Sequence, residues 1–279
     1  MDIALYIKAI ILGIVEGLTE FLPVSSTGHL IIFQNLIDFS THSDFANMFA
    51  MVIQLGAILA VVVVYWQKIW ESIVHLLPTK SRPLEKTGLY FWLMILISCV
   101  PAAAIGIPFD DLIEAKLFNP LVVACALFIG GFWILYAESK VRCNHTTTLD
   151  DTYITPKMAL IVGLFQVLSI VPGMSRSAST IIGGWFAGFS TVAGAEYSFF
   201  LAIPVMFGQA LLNILDAQGC LSSTEWIALG IGFLVSFMVA LAVIGSFIAY
   251  LQKKPMKVFA IYRIIFAFVV LGCGVVGLF

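Results

Sequence analysis

Six stretches of the chain are apolar over about 20 residues, at about 45–66, 88–108, 117–137, 192–215, 226–250 and 257–279. Twenty helical residues rise about 30 Å, the thickness of a bilayer's hydrocarbon core, so each stretch is predicted to span a membrane. Four further stretches are apolar but short or interrupted. They form two pairs, about 3–22 with 26–37 and about 157–171 with 177–190. A polar, proline-containing break splits each pair: Pro23-Val24-Ser25-Ser26-Thr27-Gly28 in the first, Pro172-Gly173-Met174-Ser175-Arg176-Ser177 in the second. Proline stops a helix at or before the preceding residue. Irregular backbone survives at membrane depth only where it lines a cavity within the protein. Both pairs are therefore predicted to be re-entrant.

The order is broken pair, three spans, broken pair, three spans, giving halves of about 1–140 and 150–279 within a single membrane domain. Gly13 and Gly163 precede the prolines of the two breaks by ten and nine residues, and the flanking sequences are weakly alike. A repeat with an odd number of spans enters the membrane the other way up the second time. The predicted fold class is thus an all-α polytopic membrane protein with an inverted-topology repeat, six transmembrane helices and two re-entrant broken-helix pairs.

Composition agrees. Of 279 residues 61% are hydrophobic and 11% charged, against roughly 25% charged in soluble domains. Mean hydropathy is +1.05. The net charge of −2 offers no basic field for a polyanion, which excludes a nucleic-acid partner. Cys99, Cys125 and Cys273 fall in apolar runs, Cys143 in a polar loop and Cys220 at a span end. No metal-type spacing links them, and they are expected to be small hydrophobes. The first twenty residues do not read as a signal peptide, since they carry Glu16 and Glu20 and lack a basic start.

Lysine and arginine set the orientation. With the breaks re-entrant, Lys68, Lys80, Arg82, Lys86, Lys140, Arg142, Lys157, Lys253, Lys254 and Lys257 share one side, and Lys8 and Lys116 lie on the other. The loops at 67–87, 138–156 and 251–257 are therefore expected to be cytoplasmic. The first pair then dips in from outside and the second from the cytoplasm, so both breaks are predicted to reach one cavity near mid-membrane.

Arg176 lies inside the second break, flanked by apolar stretches. An intramembrane charge is costly and marks a functional site by default. Its partners at that depth are Glu16 and Glu20. A charge pair that merely pins the halves together is the competing reading. Glu16 and Glu20 are four apart and share one helix face. A divalent cation such as Mg²⁺ or Ca²⁺ would relieve their repulsion, and Mg²⁺ commonly uses one or two carboxylates plus substrate phosphates. A shared proton is the alternative.

Hydroxyls follow both prolines: Ser25, Ser26 and Thr27, then Ser175, Ser177, Ser179 and Thr180. Singly each reads as a helix N-cap. Two converging helix N-termini, with a forked guanidinium between them, suit a phosphate or diphosphate. The anion is expected against Ser25, Thr27, Gly173, Ser175, Arg176 and Ser177. His29, on the first turn after the break, could act as acid, base or phosphoryl acceptor, or simply bond within its loop. Glu196 and Arg263 are expected to be structural and paired with each other, with Arg263 reaching toward the cytoplasmic edge. Gln54 and Ser198 fall in corresponding spans and could line the cavity. His42, His75 and His145 sit in loops and receive no role.

The run Glu16-Gly17-Leu18-Thr19-Glu20-Phe21-Leu22-Pro23-Val24-Ser25-Ser26-Thr27-Gly28-His29 resembles the acidic pair plus Pro-x-Ser-Ser-x-Gly-His signature of bacterial undecaprenyl-diphosphate phosphatases, the bacitracin-resistance family. Pro172-Gly173-Met174-Ser175-Arg176-Ser177-Ala178-Ser179-Thr180 resembles that family's second signature, and the likeness runs over the whole chain. It implies a multi-pass enzyme of the bacterial inner membrane that converts undecaprenyl diphosphate to the monophosphate lipid carrier of peptidoglycan synthesis. It also implies a divalent-metal cofactor and a site open to the periplasm. By the same resemblance Glu16 and Glu20 are the metal pair, and Arg176 holds phosphate. Ser26 and His29 share the nucleophile and proton-transfer roles. The expected partners are a polyprenyl diphosphate lipid and membrane lipids, with room for homo-oligomerisation. The alternative function is a transporter or flippase of a phosphorylated polyprenyl lipid, which would not need the hydroxyl cluster beside the acidic pair.

Overall fold

The computed structural model describes residues 2–39, 43–142, 147–150, 152–216 and 221–275. His42, Cys143, His145, Cys220 and the last four residues of the final predicted span lie outside them. The described elements are helices, in the order α1 (Ile3–Thr19), α2 (Ser26–Leu36), α3 (Ser43–Val64), α4 (Trp66–Val74), α5 (Gly88–Gly106), α6 (Asp110–Leu117), α7 (Pro120–Lys140), α8 (Pro156–Gln166), α9 (Arg176–Ala187), α10 (Thr191–Asp216), α11 (Ser223–Lys253) and α12 (Lys257–Val275). Six of them, α3, α5, α7, α10, α11 and α12, are long and apolar enough to cross a membrane. They coincide with the six predicted spans. The broken pairs are α1 with α2 and α8 with α9, the latter joined through a short 3₁₀ turn at Val167–Ile170.

Two elements were not expected. The segments around 67–87 and 109–116 contain α4 and α6 rather than loop alone. Along α4, Trp66, Trp70, Ile73 and Val74 are exposed while Ile69 is buried, and the Trp66 and Trp70 rings stack at 6.1 Å. Amphipathic helices with exposed tryptophans suit the membrane–water boundary.

Without a hydrophobic drive between helices in lipid, close backbone approach decides which helices pair. Gly13 of α1 faces α11, where a Cβ would lie 2.8 Å from the Gly232 carbonyl oxygen. Gly163 of α8 faces α5, where a Cβ would lie 2.6 Å from that of Ser98. The helix pairings repeat in the same sense. α1 packs on α11 and α8 on α5; α3 packs on α11 and α10 on α5; α2 packs on α12 and α9 on α7. The pairs α3–α10 and α7–α12 cross the middle. Phe21, just before the first break, meets Phe199 of α10 edge-on at 5.1 Å.

The expected partnership of Glu196 and Arg263 is absent. Glu196 accepts a hydrogen bond from the Leu149 amide at 2.8 Å and one from the Tyr65 hydroxyl at 3.5 Å. Arg263 is fully buried and points into the centre rather than toward an edge. The cause is the supply of acceptors: backbone carbonyls take the bonds of both Nη groups in place of an acid, while Nε is left without a partner. Of the cysteines, Cys125 is exposed and Cys99 and Cys273 are half-buried, all three free. An exposed thiol on an apolar span is consistent with a small hydrophobe facing lipid.

Candidate active site

Both breaks end in the same local structure. Ser25 has φ 70° and ψ 96° and caps α2, its side chain accepting from the Gly28 amide. Ser175 has φ 70° and ψ 117° and caps α9, accepting from the Ala178 amide. These two serines therefore carry out the capping role that any one hydroxyl in the clusters could have taken. Ser26 and Arg176, the next residues, stand on the first turns of their helices. Ser179 and Thr180 bond back to the Ser175 and Arg176 carbonyls at 2.9 and 2.8 Å.

The two breaks meet at Glu20. Glu20 comes directly after the last residue of α1, keeps helical angles, and is buried. One carboxylate oxygen accepts from the Ser26 hydroxyl at 2.6 Å, and the other accepts from Arg176 Nη2 at 2.8 Å. Arg176 Nη1 donates to the Ser198 carbonyl at 2.8 Å and to the Ser198 hydroxyl at 3.2 Å. The Thr180 hydroxyl, its own proton on the Arg176 carbonyl, lies 2.7 Å from the same Ser198 hydroxyl and can accept from it. Ser177 closes the junction, donating to the Leu22 carbonyl at 2.9 Å and lying 3.0 Å from the Ser175 hydroxyl. In the sequence Ser198 is only a residue that could line the cavity; the structure makes it the rest for the arginine fork.

Two buried groups beside this junction have no hydrogen-bond partner: both carboxylate oxygens of Glu16, and Nε of Arg176. Glu16 is fully buried one turn before Glu20, near enough for the two carboxyls to share a proton in place of a cation. Buried charged groups ordinarily find partners. A cation on the Glu16–Glu20 side and an anion on the arginine side would satisfy both. Among the described residues no group of three or more His, Cys, Asp or Glu could enclose a metal. A hard cation such as Mg²⁺ or Ca²⁺ on this pair would have two carboxylates from the protein and would need its other ligands from substrate or water.

His29 is buried but turned another way. Its Nδ1 lies 2.7 Å from the Ser25 carbonyl and its Nε2 lies 2.6 Å from the Tyr262 hydroxyl. A carbonyl can only accept, so Nδ1 carries the proton and Nε2 accepts from Tyr262. The imidazole also stacks on Phe266, ring centroids 4.0 Å apart. Both ring nitrogens are thus committed away from Ser26. Tyr262 was not singled out from sequence; its only visible sign was a polar ring in an apolar run. Thr27 is half-buried and Gly173 buried, and Gly173 has φ 98°, with a Cβ there falling 2.6 Å from the Val123 carbonyl oxygen. Only glycine fits that combination of left-handed backbone and close approach.

Comparison with known proteins adds a family. The family described as "Bacitracin resistance protein BacA" matches residues 9–269. The chain is 54% identical over 283 residues to an undecaprenyl-diphosphatase of Ruminiclostridium cellulolyticum, covering 100% of both chains. It is 51% identical over 260 residues to that of Clostridium tetani, covering 93% of each. Against that of Clostridium novyi it is 50% identical over 274 residues, with 95% of this chain and 94% of the relative covered.

Proposed function

The chain belongs to the bacitracin resistance protein BacA family, and from that premise we propose that it is a multi-pass membrane phosphatase that hydrolyses undecaprenyl diphosphate to undecaprenyl phosphate and inorganic phosphate. The observation that carries the reading is Glu20, which takes the Ser26 hydroxyl on one oxygen and the Arg176 guanidinium on the other. A nucleophile, its base and a phosphate-binding cation are joined through one carboxylate. The relatives bear a hydrolase's name and not a transporter's, and a carrier would not need a hydroxyl held on a base.

Ser26 is the nucleophile. Its Oγ attacks the terminal phosphorus while its proton passes to Glu20, 2.6 Å away. The Oγ–P bond forms, the bond from that phosphorus to the bridging oxygen breaks, and undecaprenyl phosphate leaves. Glu20 hands that proton to the departing undecaprenyl phosphate. Water then attacks the seryl phosphate and gives a proton to Glu20. The P–Oγ bond breaks, Glu20 returns the proton to Ser26 Oγ, and inorganic phosphate leaves. Arg176 binds phosphate oxygens through the fork that Ser198 holds in place, its Nε being the donor still unspent. The N-termini of α2 and α9 supply amide donors from both sides. Phosphoryl transfer asks for positioning and charge neutralisation, which these residues provide. Glu16 and Glu20 would hold a divalent metal, which supplies further charge neutralisation on the phosphate oxygens. His29, bonded to Ser25 and Tyr262, keeps the capping residue next to Ser26 in place. We place the loops rich in lysine and arginine in the cytoplasm and the site's opening toward the periplasm, in the inner membrane of a bacterium. The repeated helix pairings support two halves related by an inverted repeat.

The test is phosphate release from undecaprenyl diphosphate by the purified protein in detergent, with Mg²⁺ or Ca²⁺ and then with EDTA. Metal-dependent release in the parent and loss of about 10³-fold or more in Ser26→Ala are expected. Bound lipid with no release under any metal would overturn the reading in favour of a carrier. Ser26→Ala turnover within tenfold of the parent would remove the serine as nucleophile.

A further inference from the structure

Arg263 touches neither Glu20 nor Ser26, yet it touches both breaks. It is fully buried on α12. Nη1 donates to the Met174 carbonyl at 2.9 Å and to the Pro23 carbonyl at 3.4 Å. Nη2 donates to the Gly173 carbonyl at 2.9 Å and to the Ala126 carbonyl at 3.3 Å. Pro23 lies in the first break, Gly173 and Met174 in the second, and Ala126 on α7. No carboxylate of the described residues is paired with it. Four carbonyl dipoles do the work of an anion, which is a costly way to fill space: an apolar side chain would pack there without desolvating a charge.

The points of attachment explain the expense. Pro23 precedes the Ser25 cap by two residues, and Met174 immediately precedes the Ser175 cap. Both caps sit at φ 70°, a conformation that serine keeps only when its surroundings enforce it. Directly after each cap comes a residue of the site, Ser26 or Arg176. We propose that Arg263 is a positioning residue for the phosphatase reaction: by clamping carbonyls of both breaks it sets Glu20 and Ser26 of one half against Arg176 of the other. This rests on the function argued above. Room for the clamp comes from Gly130 on α7, where a Cβ would collide with Nη2 and lie 2.8 Å from Cζ.

Two variants test the clamp in the full-length protein. Arg263→Met removes it, and Gly130→Ala displaces the guanidinium while leaving Arg263 in the chain. Misplacing a catalytic group by an ångström costs about 10²-fold, so kcat per folded molecule is expected to fall about 100-fold in Arg263→Met. Gly130→Ala is expected to lower kcat in the same direction, and Arg263→Lys to recover part of the loss. Because Gly130→Ala acts through Arg263, adding it to Arg263→Met should change kcat by no more than about twofold. Amide hydrogen exchange, read without substrate, should rise together across 22–28 and 172–178 in both single variants, by about tenfold. A lower melting temperature with unchanged kcat per folded molecule would overturn the proposal and leave a structural arginine. So would multiplicative effects in the double variant, or faster exchange in one break only. Should Arg263→Met fail to fold, Gly130→Ala and the exchange measurement decide alone. A parent that releases no phosphate sinks the function and not the clamp, which the exchange measurement still judges.

Discussion

Ser25 and Ser175 share φ 70° and the same capping bond, three residues ahead on each helix, yet their next neighbours differ: Ser26 brings a hydroxyl in the first break, Arg176 a guanidinium in the second. The helices before the breaks differ in the same way. Pairing Gly13 with Gly163 sets Glu16 of α1 against Gln166 of α8, both buried. Glu16 has two orphaned oxygens, while Gln166 donates to the Ser98 carbonyl at 3.4 Å and leaves only its neutral amide oxygen unpartnered. The two regions keep a common backbone and divide the charge. A symmetric pair would bring like charges together in a medium that screens them poorly. Divergence instead sets acids and a nucleophile on one wall and a cation on the other, as an anionic substrate with a bound metal requires.

The largest way to break that division is to erase the charge on the second wall. Arg176→Ala is expected to lower phosphate release by about 10³-fold or more, in the range that loss of a transition-state arginine costs. Arg176→Lys keeps the charge but loses the fork that reaches Glu20 and Ser198 together, so it should fall between Ala and the parent. Turnover of the Ala variant within tenfold of the parent would mean that the second break does not hold the reacting phosphate.

A smaller change makes the first wall resemble the second. Glu16→Gln gives α1 the amide that α8 carries at Gln166. If Glu16 helps to hold a divalent ion, the metal concentration for half-maximal phosphate release should rise about 10- to 100-fold, as for losses around metal sites generally. Maximal release at saturating metal should recover in part. An unchanged half-saturating concentration would take Glu16 out of the metal site.

Much of this asymmetry was legible in the sequence, because its elements announce themselves. Length and hydropathy set the six spans, and proline with hydroxyls marked both breaks. Glu20, Ser26 and Arg176 were visible as polar groups in apolar surroundings. Every feature that could not be read has a physical reason. Arg263 looked like an edge residue in search of an acid because its true partners are carbonyls, which every residue possesses and no sequence displays. Gly130, whose missing Cβ leaves room for the guanidinium, was its sign in the chain. His29 stood within reach of Ser26 along the chain, but the Tyr262 hydroxyl that turns it away comes from α12, 233 residues distant. The helix α4 keeps a clear helical period in Trp66, Trp70, Ile73 and Val74, but nine residues are too few to span a membrane, and elements read by spanning length pass over it.

The smallest expected effect tests whether the two backbones are equivalent at all. At Ser25 and Ser175 two energies oppose each other. Replacing a capping serine with alanine costs about 1 kcal/mol, with glycine only a few tenths. Holding a residue with a Cβ in the left-handed region costs about 1–2 kcal/mol, which glycine escapes, while glycine's extra freedom in the unfolded chain takes back about 0.5–1 kcal/mol. Alanine therefore loses the cap and keeps the strain, and glycine's gains and losses nearly cancel. In thermal unfolding in detergent, both alanine variants should melt below the parent and both glycine variants should lie within about 0.5 kcal/mol of it, with the same order at both sites. Turnover should separate the sites where melting does not. Ser25→Ala acts next to Ser26 and on the carbonyl that fixes His29, whereas Ser175→Ala disturbs an arginine that Ser198 and Glu20 still hold. The expected result is equal loss of stability with a larger loss of turnover at Ser25. A glycine variant less stable than its alanine counterpart at one position only would show that glycine's freedom in the unfolded chain outweighs the strain there, and that the two breaks share a shape without sharing its energetics.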